Sequence, residues 1–425
     1  MSEIKKNKIW LCLAHMSEAG EEMKYIKEAF DTNWVVPLGP NVNGFEADLE
    51  SFVNNCTNGC SPDKRVVALS AGTAAVHLAL LACGVGPGDE VMVQSFTFCA
   101  SSHPVTYLGA TPVFVDSEPE TWNMDPSLLD EAIEDRVKRT GRKPKAIVPV
   151  YLYGMPAHID EIMAVAHKWN IPVVEDAAEG LGSRYQGKVM GTFGDYGVLS
   201  FNGNKMITTS GGGALICPDE SAWRHIMWLA TQAREAYPYY QHEAIGYNYR
   251  MSNICAGIGR GQMTVLGDHI SHHRRLAAMY RDAFEDIEGI TFHDELPGME
   301  SNFWLSTILL DEDLHVVGEE AAYAEKVKGV VGGAAGVVHS GGTIHTNCEP
   351  NCNVEAMRLA LDHCGIESRP LWKPMHLQPV YKDAPAYVNG VSENLFKRGL
   401  CLPSGPMVTD EDFGYIIEAI KNAKK

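Results

Sequence analysis

Residues 196–215 read YGVLSFNGNKMITTSGGGAL and combine two predicted strands with a lysine between them. Apolar residues at 198–201 predict a short strand, the Asn-Gly-Asn sequence at 202–204 predicts a turn, and a second strand follows the glycines. Lys205 is therefore expected between two rigid segments. The glycines at 211–213 allow the backbone to approach a bulky group closely or to adopt positive φ. A surface lysine in a hairpin turn is an equally simple interpretation.

The surroundings of Lys205 suit the attachment of an aldehyde cofactor. Burial in an α/β core favours the neutral form of a lysine amine, because it penalises the ammonium ion. A neutral amine can attack an aldehyde such as that of pyridoxal phosphate (PLP), and flanking hydroxyls and glycines leave room for it. The stretch therefore suggests PLP as a cofactor. The other motifs must decide between a cofactor-binding lysine and a surface lysine in a hairpin turn.

The size and charge of the chain restrict its class. Its 425 residues can form two domains, expected as a large one at 1–260 with an extended N-terminal segment and a smaller one at 261–425. The net charge of −19 disfavours nucleic acid and anionic membranes as partners, although an anionic small molecule feels only the local field. Apolar runs fall short of the roughly 18 residues that span a bilayer, and the N-terminus is a poor signal peptide. We therefore expect a cytoplasmic protein.

The eleven cysteines are an odd number and are scattered, which indicates free thiols in a reducing compartment. Two pairs have a spacing seen at zinc sites, Cys56 with Cys60 and Cys348 with Cys352, the second near His345. A four-thiolate site would require two loops to meet across nearly the whole sequence. We therefore expect unpaired loop cysteines and no metal.

Strand-like and helix-like segments alternate through the first half of the chain. The runs at 90–95, 111–116, 145–152 and 171–176 predict strands, and those at 101–109, 126–140 and 158–169 predict helices. Two amphipathic helices are also expected at 21–31 and 44–54, with an extended segment at 33–42 between them. This alternation predicts a mostly parallel sheet covered by helices on both faces, on which ligands bind at the carboxyl ends of strands.

A phosphate site is expected where the segment 65–90 passes from strand to helix. Its sequence predicts a short strand, a turn of small residues and a helix that ends at Gly84. Ser70, Gly72 and Thr73 then lie at the helix N-terminus, where free amides, hydroxyls and the helix dipole attract an anion. Taken alone, this pattern is better explained by an ordinary Ser/Thr helix cap.

Acidic and aromatic residues follow two of the predicted strands. Asp176 ends the strand at 171–176 and could bond a buried heterocyclic nitrogen, while Glu179, about one turn later, would face the same side. Phe98 follows the strand at 90–95 and could stack on a flat cofactor. A capping acid and core aromatics are the alternatives. The chain has neither a GxxxxGK[ST] loop nor an HExxH helix, and the glycine-rich run at 329–338 lacks the features of a dinucleotide fingerprint.

Seven motifs together give a resemblance to a known family. They are SAGTAAVHLAL, SFTF, VVEDAAEGLGS, GTFGDYGVLSFNGNK, GYNYRMSN, ESRPLWKPMH and CLPSG. In this order they resemble the DegT-type nucleotide-sugar aminotransferases of fold type I, from about residue 8 to the C-terminus. The resemblance implies a PLP-binding α/β domain with a mostly parallel sheet and a smaller α+β C-terminal domain. FNGNKMITTSGGG, ATQARE and SNFWLST are most similar to the bacillosamine-pathway UDP-4-keto-sugar aminotransferases.

The resemblance assigns roles to individual residues. It implies that Lys205 binds PLP covalently and shuttles a proton, and that Asp176 pairs with the ring nitrogen. Glu179 would lie near the phenolic oxygen, and Phe98 would stack on the ring. The residues implied to bind phosphate are Gly72, Thr73 and Ser200. Family members are usually homodimers with shared active sites, which implies that Asn248, and Arg250 with it, reach the partner's cofactor.

The resemblance also implies the substrates, which are L-glutamate and the 4-keto carbon of a UDP-linked 2-acetamido-2,6-dideoxy sugar. The residues expected on the sugar-nucleotide side are Trp34, Arg250, Arg369, Trp372 and His376. A GDP-linked 4-keto sugar, a 3-keto sugar and a PLP-binding regulator without turnover remain alternatives. A related dehydratase is disfavoured, because it carries histidine in place of Lys205. The segment at about 311–353 does not resemble the family.

Overall fold

The computed structural model describes residues 8–55, 63–323 and 348–425. Its helices are α1 (Glu21–Asp31), α2 (Pro40–Val53), α3 (Gly72–Ala82), α4 (His103–Tyr107), α5 (Pro126–Thr140), α6 (Ile159–Trp169), α7 (Glu220–Ala230), α8 (Asn253–Met263), α9 (Leu266–Glu285), α10 (Cys352–His363), α11 (Val391–Arg398) and α12 (Asp410–Ala423). Within these described ranges, no helix has the length and apolar character that crossing a bilayer requires.

The described strands include several of only two or three residues. They are β1 (Arg65–Leu69), β2 (Glu90–Gln94), β3 (Thr111–Val115), β4 (Ala146–Val148), β5 (Val174–Asp176), β6 (Arg184–Tyr185), β7 (Lys188–Val189), β8 (Tyr196–Ser200), β9 (Gly213–Cys217), β10 (Ile290–Phe292), β11 (Met299–Glu300), β12 (Ser306–Leu310), β13 (Arg369–Pro370), β14 (Ala386–Tyr387) and β15 (Gly399–Leu402).

Eight of these strands form one large sheet. The orders β1-β9-β8-β5 and β14-β3-β2-β4 are joined by parallel bridges from Ile147 to Val173 and from Val150 to Asp176. Strand β9 runs antiparallel to both β1 and β8, and the other pairings are parallel. The expected mostly parallel sheet is therefore confirmed, and the hairpin β8–β9 contributes its antiparallel strand.

Both faces of this sheet are buried, as the alternation along β1 shows. Val66 and Ala68 belong to one apolar core, whereas Val67 and Leu69 belong to the other. Successive side chains of a strand point to opposite faces, so helices must cover both sides. Helix α3 packs on β9, β8 and β5 in this arrangement. The predicted two-sided covering is confirmed.

The helix predictions differ in accuracy because the local end signals differ. Helix α5 matches 126–140, since the Asp125 side chain accepts from the amides of Ser127 and Leu128, and Gly141 ends the helix at φ 69°. Helix α2 begins at Pro40, four residues before the expected start, because proline suits the first helical turn. The predicted helix at 101–109 is reduced to the five residues of α4, preceded by a short 3₁₀ turn.

A second, antiparallel sheet lies in the C-terminal part of the chain. Its strand order is β10-β12-β15-β13, and its core includes apolar residues from α9, α10 and α12. Antiparallel strands with helices correspond to the expected α+β C-terminal part. The helix α8 continues across residues 260 and 261, so the division of the chain at that point stays a prediction.

The N-terminal segment 8–17 connects the two parts of the chain. Ile9 forms a parallel bridge with Ile366, and the Leu11 carbonyl accepts from the Ser404 amide at 2.8 Å. Cys12 follows in the main apolar core, where burial raises the pKa of its thiol to about 12. The thiol is therefore protonated at neutral pH and packs as a small apolar group.

Candidate active site

Lys205 lies in the loop between β8 and β9 and its side chain is largely enclosed. Its amide donates to the Asn202 carbonyl at 3.0 Å, which closes the predicted turn. Its side chain is 14% exposed, with Nζ 3.3 Å from Glu179 Oε1 and 4.0 Å from the centre of the Trp304 ring. The hairpin is present, but Lys205 is not a surface lysine within it.

Glu179 is the anionic partner of Lys205 and is itself buried. Its Oε2 accepts from the Tyr153 amide at 2.7 Å, so both carboxylate oxygens have donors. Burial raises the pKa of Glu179, and the charge of Lys205 opposes that shift. The structure thus brings Glu179 into contact with Lys205, while its predicted place near the phenolic oxygen stays a prediction.

Asp176 ends β5, the parallel neighbour of β8, and points into a small hydroxyl network. Its Oδ2 accepts from Ser101 Oγ at 2.6 Å and its Oδ1 from the Ala178 amide at 3.1 Å. Ser101 Oγ also lies 2.8 Å from Thr97 Oγ1. Burial raises the pKa of Asp176, while the Ser101 and Ala178 hydrogen bonds and the charge of Lys205 lower it. A buried carboxylate of this kind is well suited to receive a protonated ring nitrogen.

The N-terminus of α3 presents backbone amides beside the end of β8. Its cap residue, Ala71, has no side chain that satisfies these amides. A Cβ on Gly72 would lie 3.0 Å from the Ser200 Cβ, and a Cβ on Gly213 would lie 2.3 Å from the Gly72 nitrogen. Two glycines therefore let three segments converge, and they leave an anion-binding helix end next to the Ser200 hydroxyl.

Gly213→Ala is expected to weaken PLP binding at least about tenfold and to lower thermal stability. The added methyl would meet backbone atoms of Ala71 and Gly72 below 3 Å, so the helix N-terminus must shift. Equilibrium dialysis with PLP and a thermal melt measure the two effects.

Gly211→Ala is the matched control for this substitution. A Cβ at Gly211 meets nothing within 4 Å, so this variant should bind PLP as the wild type does. Equal behaviour of the two variants would contradict the role of close packing at the helix end.

Phe98 borders an open cavity of about 390 Å³ together with Trp372, Lys373, Met375 and Tyr381. Phe98 is 52% exposed, and its ring centre lies 5.8 Å from that of Trp372. An exposed aromatic ring at the edge of a cavity is available for stacking on a flat ligand. The predicted stacking role of Phe98 stays a prediction.

Three predicted sugar-side residues, of which Trp372 lines this cavity, have partners within the chain. The Trp372 amide donates to the Tyr153 hydroxyl at 2.8 Å, and His376 Nδ1 lies 2.6 Å from Ser95 Oγ. Burial lowers the pKa of His376, which keeps its ring neutral near pH 7. Arg369 pairs with Glu367 at 2.8 Å.

The remaining predicted residues contact other parts of the chain. The Arg250 guanidinium binds Glu46 at 2.5 Å and the Ala68 carbonyl at 2.9 Å. Asn248 is exposed, and Trp34, at 39% exposure, accepts at its carbonyl from the Asn253 side chain. Their roles toward a partner subunit or a nucleotide stay predictions.

The zinc alternative falls partly outside the described residues. Cys56, Cys60 and His345 belong to the ranges 56–62 and 324–347, which the structure does not describe. Cys348 is partly buried and Cys352 is exposed at the start of α10; neither forms a disulfide. The unassigned segment at 311–353 likewise lies mostly outside the description.

Three residues of the site were not predicted from the sequence. Ser101 orients Asp176, the Tyr153 amide binds Glu179, and Trp304 contacts Lys205. Each belongs to a distant segment, and only SNFWLST, which contains Trp304, was among the recognised motifs. The similarity of SNFWLST to the family was therefore the one sequence feature that could have pointed to any of these three residues.

A lysine loop and a carboxylate at the ends of paired strands, beside an open helix N-terminus, form the arrangement with which PLP-dependent aminotransferases hold their cofactor. The family model of the DegT/DnrJ/EryC1/StrS aminotransferases matches residues 16–331 and 332–421. This match includes the segment at 311–353, so the expectation that this segment does not resemble the family was wrong. The chain belongs to this family, and it is therefore a PLP-dependent sugar aminotransferase. The residues present fit the cofactor, since they supply an amine, a buried acceptor and an anion site.

Similar proteins agree with this membership. EpsN of Bacillus subtilis (strain 168), whose naming as a PLP-dependent aminotransferase is provisional, is 43% identical over 97% of this chain and 95% of its own. GDP-perosamine synthase of Escherichia coli O157:H7 is 34% identical over 95% and 96%. The crystal structure of a DegT DnrJ EryC1 StrS aminotransferase from Brucella abortus superposes with a TM-score of 0.79, at 27% identity and 95% coverage of both chains. The expected fold type I is thereby confirmed.

Proposed function

We propose that the enzyme transfers the amino group of L-glutamate to the 4-keto carbon of a UDP-linked 2-acetamido-2,6-dideoxy hexose. The observation that carries the aminotransfer is the enclosed Lys205 amine, which lies 3.3 Å from Glu179 in the loop after β8, the strand that pairs with β5 and its terminal Asp176. The motifs FNGNKMITTSGGG, ATQARE and SNFWLST support the bacillosamine-type UDP sugar, through their similarity to that branch of the family.

Three side chains act in the proposed reaction, the carboxylates of Asp176 and Glu179 and the amine of Lys205. Bound PLP supplies an electron-withdrawing ring that stabilises negative charge on the carbon losing its proton. Lys205 Nζ would hold the cofactor, and as a free amine it would accept and return the proton of the substrate carbon. Asp176 would pair with the ring nitrogen and keep it protonated, and Glu179, 3.3 Å from Lys205 Nζ, would orient that amine.

Different residues are proposed to bind the cofactor phosphate and the sugar nucleotide. The α3 amides, Gly72, Thr73 and the Ser200 hydroxyl hold the phosphate. Phe98 stacks on the cofactor at the edge of the cavity that Trp372 also borders. The remaining residues proposed for the nucleotide sugar are Trp34, Arg250, Arg369 and His376.

We also propose that the enzyme is a homodimer in which Asn248 reaches the partner's cofactor. Large apolar side chains are exposed near it in sequence and in the loop after α1. They are Val35, Val36, Leu38, Tyr237, Tyr239, Tyr240 and Ile245. Exposed apolar groups in this number favour burial against a second copy.

A GDP-linked 4-keto sugar is the second candidate substrate. It is favoured by the 34% identity to GDP-perosamine synthase, whose name places a guanosine nucleotide on that enzyme's product. The two candidates require the same cofactor chemistry and differ only in the nucleotide and sugar contacts.

Near-visible absorbance separates the two candidates. Glutamate is expected to bleach the band of the lysine-bound cofactor, and the UDP-linked 4-keto sugar is expected to restore it at least about tenfold faster than the GDP-linked one. Recovery with the GDP sugar alone would establish the second candidate. Bleaching without recovery on either sugar would contradict both.

A further inference from the structure

Trp304 contacts the loop of Lys205 through both its ring and its nitrogen. It is 1% exposed and lies just before β12. Its Nε1 donates to the Asn204 carbonyl at 2.7 Å, and its ring centre lies 4.0 Å from Lys205 Nζ. The two contacts therefore fix the backbone and the amine of consecutive residues.

Trp304 is in turn held by the segment that supports Glu179. The Asn302 side chain accepts from the Trp304 amide at 2.8 Å and donates to the Glu179 carbonyl at 2.8 Å. Phe303, between them, has a φ of 47°, which is uncommon for a residue with a side chain. Its carbonyl accepts from His273 Nδ1 at 3.0 Å. Such a backbone conformation persists where surrounding contacts fix it.

We propose that Trp304 is a positioning residue that holds the Lys205 amine where the cofactor attaches. A lysine side chain has many rotamers, and fixing one of them in advance speeds a reaction that needs one geometry. The ring limits the rotamers of the Lys205 side chain by packing 4.0 Å from Nζ, and the hydrogen bond from Nε1 to the Asn204 carbonyl restrains the turn that carries Lys205. The proposal rests on the proposed role of Lys205 as the cofactor-binding lysine.

The test compares two cofactors that differ in their need for Lys205. PLP requires attack by the amine, whereas pyridoxamine phosphate binds the same pocket without a covalent link. The full-length enzyme is freed of cofactor with glutamate and dialysis, and each compound is then added. The rate of appearance of the near-visible band reports attachment, and equilibrium dialysis reports pyridoxamine phosphate affinity.

Trp304→Leu is expected to slow attachment about tenfold or more, because both the ring and the N–H are lost. Trp304→Phe keeps a ring and loses only the N–H, so a smaller slowing of about threefold is expected. Pyridoxamine phosphate affinity should stay within about twofold of wild type in both variants. If the leucine variant does not fold, the phenylalanine variant carries the test.

Trp223 provides a matched control. Its Nε1 also donates to a backbone carbonyl, that of Val66 at 3.1 Å, and a cation also lies over its ring, Arg65 at 4.8 Å. Trp223→Phe and Trp223→Leu should attach PLP at the wild-type rate.

Two results would overturn the positioning role: attachment within twofold of wild type in both Trp304 variants, or a parallel loss of pyridoxamine phosphate affinity. A normal band in Lys205→Ala would instead show that the role proposed for Lys205 is wrong.

Discussion

Lys205→Ala is expected to lower kcat by at least about 1,000-fold while the protein still binds pyridoxamine phosphate. In the proposed function the Lys205 amine is both the attachment point and the base that moves the proton, and no second lysine is seen to contact Glu179 in the described part of the chain. The steady-state rate and equilibrium dialysis of pyridoxamine phosphate provide the two measurements.

Lys205→Arg is the matched control for the loss of charge. It keeps a cation beside Glu179 and the Trp304 ring but cannot attach the cofactor or act as a base near pH 7. It should therefore be as inactive as the alanine variant. Turnover above about 1% of wild type in either variant would refute the assignment of Lys205.

Asp176→Asn is expected to lower kcat by about 100-fold to 1,000-fold, because the amide cannot hold a proton on the ring nitrogen as a carboxylate does. Ser101→Ala removes only the hydroxyl that orients this carboxylate at 2.6 Å, so a fall of about threefold to tenfold is expected. Equal effects of the two variants, measured by steady-state kinetics, would contradict a direct role for Asp176.

Asp176→Asn is expected to stabilise the cofactor-free protein, although it lowers kcat. Burial raises the pKa of Asp176, so the folded state binds a proton more tightly than the unfolded state. The stability that this group contributes is present below its unfolded pKa and is lost as pH rises through the folded pKa. Asp176→Asn should therefore raise Tm by roughly 2 °C at pH 8 and by less at pH 5. A lower Tm at pH 8, measured without cofactor, would contradict this account.

Local patterns predicted the sheet, because the alternation at 90–176 repeats a simple strand and helix rule, and they also singled out Asp176 and Lys205 as candidate site residues. Asp176 was found because it ends a strand, and Lys205 because a turn and glycines surround it. Trp304 could not be found in this way, since it is almost 100 positions from Lys205 and lies beside it only after the C-terminal sheet has formed. Ser101 was missed because the predicted helix at 101–109 placed it in a regular element.

The link between Ile9 and Ile366, and between Leu11 and Ser404, has a consequence for biosynthesis. Segment 8–17 leaves the ribosome long before its partners Ile366 and Ser404 are made. At about 5 to 20 residues per second, Leu11 waits roughly 20 to 80 s for Ser404. Cys12 thus reaches its final neighbours only near the end of translation. Until residue 404 is made, the Leu11 carbonyl lacks the amide that binds it in the folded protein, so segment 8–17 takes its final place late in folding.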